Sequence, residues 1–185
     1  MMESIILETD RLILKPGTLE DYYKVYEYDL LKLRDINGEF EYVKQDLKFI
    51  KEHVYPGNDD SIYDWVIYLK ENGEPIGNIF AEMHNDIDNS NEIGYNLHPS
   101  YWGNSYMKEA CVAVLGYLFK EGYEKIYCSY DEGNIKSKKS IEKTGFKLDN
   151  IKENAWKKNG VPITQYRYVM TKEMYDELYE NKKVR

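Results

Sequence analysis

The chain has 185 residues, so a single domain spanning 1–185 with a substantial buried core is expected. Its 25 Lys and Arg against 33 Asp and Glu leave a net charge of −8. This speaks against nucleic-acid and anionic-membrane partners, which need a basic face, and is compatible with a cationic substrate such as an amine. With 42% hydrophobic and 31% charged residues the chain is not a disordered or low-complexity one.

Thr9–Lys15 is a short β-type run that stops at Pro16-Gly17. Thr18 follows as an N-cap, with Asp21 three residues on as a weaker relative of the capping-box acid, and predicts a helix to about Leu33. Glu39–His53 reads as a second helix, with Phe40, Val43, Leu47 and Ile50 at helical spacing, and 56–61 as a loop. Asp64–Lys70 and Pro75–Met83 are strands joined by the turn Glu71-Asn72-Gly73-Glu74. After a polar, turn-rich stretch, Asn91–Leu97 is a strand with Ile93, Tyr95 and Leu97 on one side and Glu92, Gly94 and Asn96 on the other.

From Tyr106 the period becomes helical. Met107, Ala110, Cys111, Val114, Leu115, Leu118 and Phe119 share one face, and Gly122 ends the element. Lys125–Tyr130 is a strand, and Ile135–Thr144 a short helix closed by Gly145. Phe146–Trp156 and Pro162–Met170 are a strand pair across Asn159-Gly160, and Thr171–Lys182 a charged helix. The order β–α–α–β–β–β–α–β–α–β–β plus a tail helix gives about seven strands. Its hairpins demand antiparallel pairs, and the strand–helix–strand unit over 92–130 demands one parallel pair with a right-handed crossover. One mixed, mostly antiparallel sheet with helices on both faces, an α+β layered fold, accommodates all of this.

Two cysteines are too few for a disulfide framework, which points to a reducing, cytoplasmic setting. Cys111 falls on the buried helix face and Cys128 mid-strand, so both read as core. Residues 1–15 lack the pattern of a signal peptide, and no apolar stretch approaches the ~20 residues of a membrane span. His53, His84 and His98 show no metal-ligand spacing, and no metal is expected.

The chemistry concentrates where the strand Glu92–Leu97 runs through His98–Asn104 into the helix at Ser105–Tyr106. A loop feeding a helix start offers unpaired N–H groups and the positive end of the macrodipole, which suits a pyrophosphate, and Gly103 lets an anion approach the backbone. An ordinary capped helix start would look the same. Neither a G-x-x-x-x-G-K-[ST] loop nor a G-x-G-x-x-G after a strand is present, which disfavours phosphate-ligand enzymes of other α/β classes.

Glu92-Ile93-Gly94-Tyr95, then Pro99, then Trp102-Gly103-Asn104-Ser105-Tyr106-Met107-Lys108-Glu109-Ala110, resemble the GNAT superfamily of N-acetyltransferases in its RimJ/RimL-like branch of ribosomal-protein N-terminal acetyltransferases. Asn134 and Ser137, followed by Lys143, Gly145 and Phe146, match the branch's next motif, and Glu8-Thr9-Asp10-Arg11-Leu12 matches its opening.

The resemblance implies transfer of an acetyl group from acetyl-CoA to a primary amine by direct attack, without a metal. The family's sheet splays between the strands of Glu92 and Tyr130, where the pantetheine arm enters. It implies backbone contacts from Leu97 and His98 to the pantetheine. The loop Trp102, Gly103, Asn104, Ser105, Tyr106 and Met107 would hold the pyrophosphate. Asn134, Ser137 and Lys139 would join the cofactor contacts, Lys139 within the basic cluster it forms with Lys136 and Lys138. Glu92 becomes the candidate base. Ser137 becomes the candidate donor to the departing thiolate, with Tyr130 as an alternative acid. Each also has a plain structural reading: Glu92 as a surface or ion-paired carboxylate, Asn134 as a cap, Ser137 as helix-start packing, the lysines as a solvated face.

The family prefers Gly at Ser105 and Ala or Gly at Met107, which leaves a CoA-binding module with little or no turnover as the alternative. Acidic side chains at Glu20, Asp21, Glu27, Asp29, Glu39, Glu41, Asp86 and Asp88 suit a cationic acceptor, either a peptide N-terminus or a small molecule. The protein would act as a monomer or homodimer.

Overall fold

The computed structural model describes residues 5–32, 62–83, 89–158 and 160–181. The expected second helix at 39–53 and the loop at 56–61 lie outside them. Eight strands among the described residues form one mixed, mostly antiparallel sheet in the order β1-β2-β3-β4-β5-β6-β8-β7, accompanied by four helices. The chain divides into two compact units, and β4, β5 and the helix after β5 each contribute to both.

The first unit contains β1 (Leu7–Glu8), β2 (Leu12–Lys15), α1 (Leu19–Lys32), β3 (Ile62–Leu69), β4 (Pro75–Met83) as far as Ala81, and Tyr95–Ala110. The expected run over 9–15 is strand only from Leu12; residues 9–11 are the turn of a hairpin whose first strand, β1, precedes them, which raises the strand count from seven to eight. Leu7 pairs with Leu14 and Glu8 with Ile13. Thr9 makes the turn without glycine: its N–H donates to Leu12 O at 3.0 Å, and its hydroxyl oxygen accepts from Leu12 N at 2.9 Å. β2 continues against β3, with Leu12 opposite Leu69 and Leu14 opposite Ile67.

α1 starts at a reciprocal capping box. Thr18 Oγ1 accepts from Asp21 N at 3.2 Å, and Asp21 Oδ2 accepts from Thr18 N at 2.8 Å. Tyr22, Val25 and Tyr26 are then buried on Val66 and Tyr68. Each such side chain contributes about 1.5–3 kcal/mol by leaving water.

The second unit contains the start of β5 (Ser90–Leu97), α2 (Tyr106–Lys120) from Cys111, β6 (Lys125–Asp131), α3 (Ile135–Thr144), β7 (Lys147–Lys158), β8 (Val161–Thr171) and α4 (Lys172–Tyr175). β5 and β6 are parallel over three residue pairs, Ser90–Lys125, Asn91–Ile126 and Glu92–Tyr127. β6 runs antiparallel to β8, and β8 to β7. The predicted apolar face of α2 is buried throughout, from Met107 to Phe119. α3 has the predicted bounds, with Asn134 as cap before it and Gly145 left-handed after it.

The expected helix over 171–182 begins under a Thr171 cap and widens into a π-helical turn at Asp176–Glu180. There Tyr175 donates to Val112 O at 3.4 Å and Tyr179 to Thr144 O at 2.6 Å. Gly116 is required by this packing, because a Cβ at that position would stand 2.6 Å from the Tyr175 hydroxyl.

Candidate functional site

The candidate residues fall into two groups, one in each unit. In the first, β5 ends at Leu97, and a short 3-10 turn (Pro99–Tyr101) leads to the loop before α2. Local bonds fix this segment. His98 N donates to Ile76 O at 2.8 Å, Tyr101 N to His98 O at 2.9 Å, and the Trp102 indole to Leu97 O at 2.7 Å. The His98 N–H is therefore committed to the neighbouring strand. The carbonyls of Leu97 and His98 each accept one of these bonds. The His98 ring is likewise used locally: its Nδ1 accepts from Ser100 N at 3.3 Å.

Gly103 has φ +83° and Ser105 has φ +62°. Nothing stands within 4 Å of the place a Gly103 Cβ would occupy, so its glycine answers to backbone conformation and leaves the chain open to an approaching group. The family's glycine preference at Ser105 is explained in the same way. A non-glycine residue in this region costs about 1–2 kcal/mol, so the serine places strain in the loop as well as a side chain.

Ser105 O accepts from Glu109 N at 3.1 Å, the first bond of α2. The N–H groups of Tyr106 and Met107 precede this first bond, at the positive end of the helix. The Met107 side chain was expected beside the anion. It is buried in the apolar face of α2, so only its backbone is offered there.

A set of contacts around this loop went unassigned in the sequence. Glu109 Oε1 accepts from the Thr9 hydroxyl at 2.5 Å and from Arg11 N at 2.9 Å, and Oε2 accepts from Arg11 Nε at 2.7 Å. Arg11 Nη2 also donates to Asn104 O at 3.1 Å, and the guanidinium lies 4.4 Å from the centre of the Tyr106 ring. Partial burial raises the Glu109 carboxyl. The Thr9 and Arg11 donors outweigh it and hold the group below its usual range. The signal was present in the opening Thr9-Asp10-Arg11-Leu12 and in Glu109-Ala110, but nothing local connects segments 98 positions apart.

Asp64 on β3 stands out in the same unit. Both carboxyl oxygens are shut away from solvent and neither makes a full hydrogen bond. Burial pushes its pKa up to about 8, with the Asn78 side chain offsetting part of the rise. The carboxylates proposed to attract a cation are less available than their number suggests. Asp21 is occupied by Thr18 and by the Tyr68 hydroxyl at 2.9 Å, and Glu20 pairs with Lys24 at 3.0 Å. Glu39, Glu41, Asp86 and Asp88 lie outside the described residues, as do the side chains of Glu27 and Asp29.

In the second unit, Glu92 is half-buried on β5 beside Tyr127 of β6. Tyr130 is buried and stacks on Tyr166 with ring centres 4.9 Å apart and planes 6° from parallel. Tyr168 tilts against it at 5.9 Å and donates to Glu142 Oε1 at 3.1 Å. Asn134 Oδ1 accepts from Ser137 N at 3.1 Å, so Asn134 is the cap of α3 and fixes the backbone of Ser137. The Lys136 and Lys139 side chains are exposed, and Lys138 meets Glu142 at 4.0 Å. Cys111 and Cys128 are buried, and burial raises the Cys111 thiol to about 12. Among the described residues no three His, Cys, Asp or Glu side chains converge as a metal site, and no helix is long and apolar enough to cross a membrane.

Residues 11–147 match the model of the acetyltransferase (GNAT) domain. The uncharacterized N-acetyltransferase YoaA of Bacillus subtilis is 26% identical over 176 residues, covering 90% of this chain and 97% of its own. Among solved structures, RimL, a ribosomal L7/L12 α-N-protein acetyltransferase in complex with coenzyme A, superposes with TM-score 0.74 at 16% identity, over 90% of this chain and 98% of its own. The microcin C7 self-immunity acetyltransferase MccE, in complex with acetyl-CoA and AMP, gives TM-score 0.65 at 15% identity, over 88% and 93%. The matched stretch takes in Arg11, the loop before α2 and the Asn134 cap, and these structures share its fold. The chain therefore belongs to the GNAT acetyltransferase family, whose acetyl donor is acetyl-CoA.

Proposed function

We propose that the chain is an N-acetyltransferase of the RimJ/RimL-like branch, working as one domain over 1–185. It moves the acetyl group to a primary amine by direct attack in a ternary complex. The acceptor is a peptide N-terminus or a small cationic amine. The observation that carries this reading is the loop before α2, where left-handed Gly103 and Ser105 lead the chain into a helix start whose Tyr106 and Met107 N–H groups precede the first intrahelical bond. That donor set fits a pyrophosphate, and the open space at Gly103 lets one approach.

Acetyl-CoA, when bound, supplies the activated acyl group. The N–H groups from Gly103 to Met107 hold its phosphates, with Trp102 and Tyr106 flanking them. The carbonyls of Leu97 and His98 orient the pantetheine, and Asn134, Ser137 and Lys139 complete the contacts. Glu92 takes a proton from the amine, directly or through water, since a primary amine is mostly protonated at pH 7. Ser137, its backbone fixed by Asn134, presents a hydroxyl donor to the leaving thiolate, with the Tyr130 phenol as the alternative. Orientation of amine and acyl group supplies the rest of the rate. A cytoplasmic monomer or homodimer is the expected form.

Thermal unfolding with acetyl-CoA, CoA, ATP and NAD in parallel tests the reading. A ligand at about 100 times its Kd adds about 2.7 kcal/mol, or roughly 5–10 °C for a chain of this size. A shift with acetyl-CoA and CoA alone, followed by thiol release with an amine, supports transfer. No shift with either at millimolar concentration overturns it. Ser105, strained where the family has glycine, favours a second reading as a CoA-binding module without turnover. A shift with no thiol release across an amine panel would select that one. Glu92→Gln should lower kcat/KM and flatten its pH profile, and an unchanged profile removes Glu92 from the role of base.

A further inference from the structure

We infer that Arg11, with Thr9 and Glu109, is the positioning device of the anion-binding loop. It sets how the N–H groups before α2 are presented, without touching the ligand itself. The inference rests on the acetyl-CoA reading above and assigns these three residues a part in it.

The loop needs an external support. Two left-handed residues flank Asn104, and one of them is a serine. Backbone of this kind persists only where surrounding contacts over-determine it. Part of the support is local: the Asn104 side chain donates to Tyr101 O and Trp102 O, each at 3.3 Å. The rest comes from Arg11, which donates to Asn104 O and covers the Tyr106 ring, so it grips the loop on both sides of Ser105.

The grip on Asn104 O has a directional consequence. In a planar trans peptide the carbonyl and the following N–H point opposite ways. Holding Asn104 O toward Arg11 therefore aims Ser105 N–H away from it. Arg11 is itself fixed, because its Nε and Nη2 both meet Glu109 Oε2, at 2.7 and 2.6 Å. Glu109 is in turn held by the Thr9 hydroxyl and the Arg11 backbone. A fork of this shape, which holds a carboxylate and a carbonyl while lying over a ring, is not available to lysine.

The test compares wild type, Arg11→Lys and Glu109→Gln by titration with CoA and with dephospho-CoA, which keeps the pyrophosphate and lacks the 3′-phosphate. It adds amide hydrogen exchange over 99–109 in the unliganded proteins. Both variants should weaken the two ligands by the same factor, about tenfold or more, the size of one lost charge-assisted hydrogen bond. Exchange at the hydrogen-bonded amides of positions 101, 102 and 109 should quicken while the rest of the chain keeps its wild-type pattern. Glu109→Gln keeps the shape of the side chain, so it decides the question if Arg11→Lys fails to fold. Loss of CoA affinity with dephospho-CoA unaffected would make Arg11 a direct phosphate ligand and overturn the inference. Unchanged exchange at positions 101, 102 and 109 would overturn it as well. If the wild type binds neither ligand, the acetyl-CoA reading fails, and the exchange result alone still decides whether Arg11 sets the loop.

Discussion

Replacing Asp64 by Asn should change the pH dependence of stability more than any other single substitution among the described residues of the first unit. The carboxyl sits on β3 with both oxygens shielded from water, and burial raises its pKa from 3.8 to about 8. The folded protein therefore keeps the proton that the unfolded chain has already released. Its contribution to stability is complete below about pH 4, falls as pH rises toward 8, and is constant above that. An interval of about four pH units, at about 1.4 kcal/mol each, sets a ceiling of about 6 kcal/mol on the loss. Asn resembles the protonated carboxyl in shape and has no proton to lose, so the variant escapes it.

The assay is urea unfolding of wild type and Asp64→Asn at half-unit steps from pH 4.5 to 8.5. The difference between the two should grow steadily in favour of the variant. Asp21 and Glu109 do not obscure the reading. Both are held below their usual range, so their contributions are lost only as pH falls through that range, and they are common to the two proteins. A difference that stays constant across the range would refute the argument, since it would mean that Asp64 ionises alike in both states.

Three further outcomes follow from local geometry. Ser105→Gly should stabilise the protein by about 0.5–1 kcal/mol in a denaturant titration, because relief of the left-handed φ exceeds the extra freedom of unfolded glycine, and it should tighten CoA binding. Gly116→Ala should destabilise by about 1–3 kcal/mol, since the Cβ meets the Tyr175 hydroxyl at 2.6 Å, and Tyr175→Phe in the same chain should recover part of the loss. Asn134→Ala should cost about 1 kcal/mol, read as a Tm lower by about 2–4 °C, by removing the cap from Ser137 N–H.

Local signals were read accurately where a single segment carries them. The apolar face of α2 repeats at helical spacing and is buried as expected. α3 has its cap and its glycine within twelve residues and needs no tertiary context. The β1–β2 hairpin was missed because its turn uses Thr9 bonding in place of glycine or proline, so the alternation over 9–15 read as one strand. The π-helical turn at 176–180 was likewise invisible, since it coincides with long-range contacts of Tyr175 and Tyr179. At the candidate site, the loop and helix start could be located from motif order. The positive φ of Ser105 could not, because serine does not advertise it. The ion pair of Arg11 with Glu109 depends on chain folding that brings together two motifs quoted for recognition alone.

The contact of Tyr175 with Gly116 also has a consequence for biosynthesis. Tyr175 lies 59 positions after the glycine it covers. At about 5–20 residues per second, a ribosome takes about 3–12 s to make the intervening stretch. Throughout that time the notch on α2 has no lid, and Phe119, one turn on, lacks the Tyr175 ring that packs 5.2 Å from its own. The nascent chain thus passes through a stage at which its central helix is complete and its closing residue does not yet exist. Chaperone capture or premature association would fall in that interval, and truncation just before Tyr175 would make it permanent.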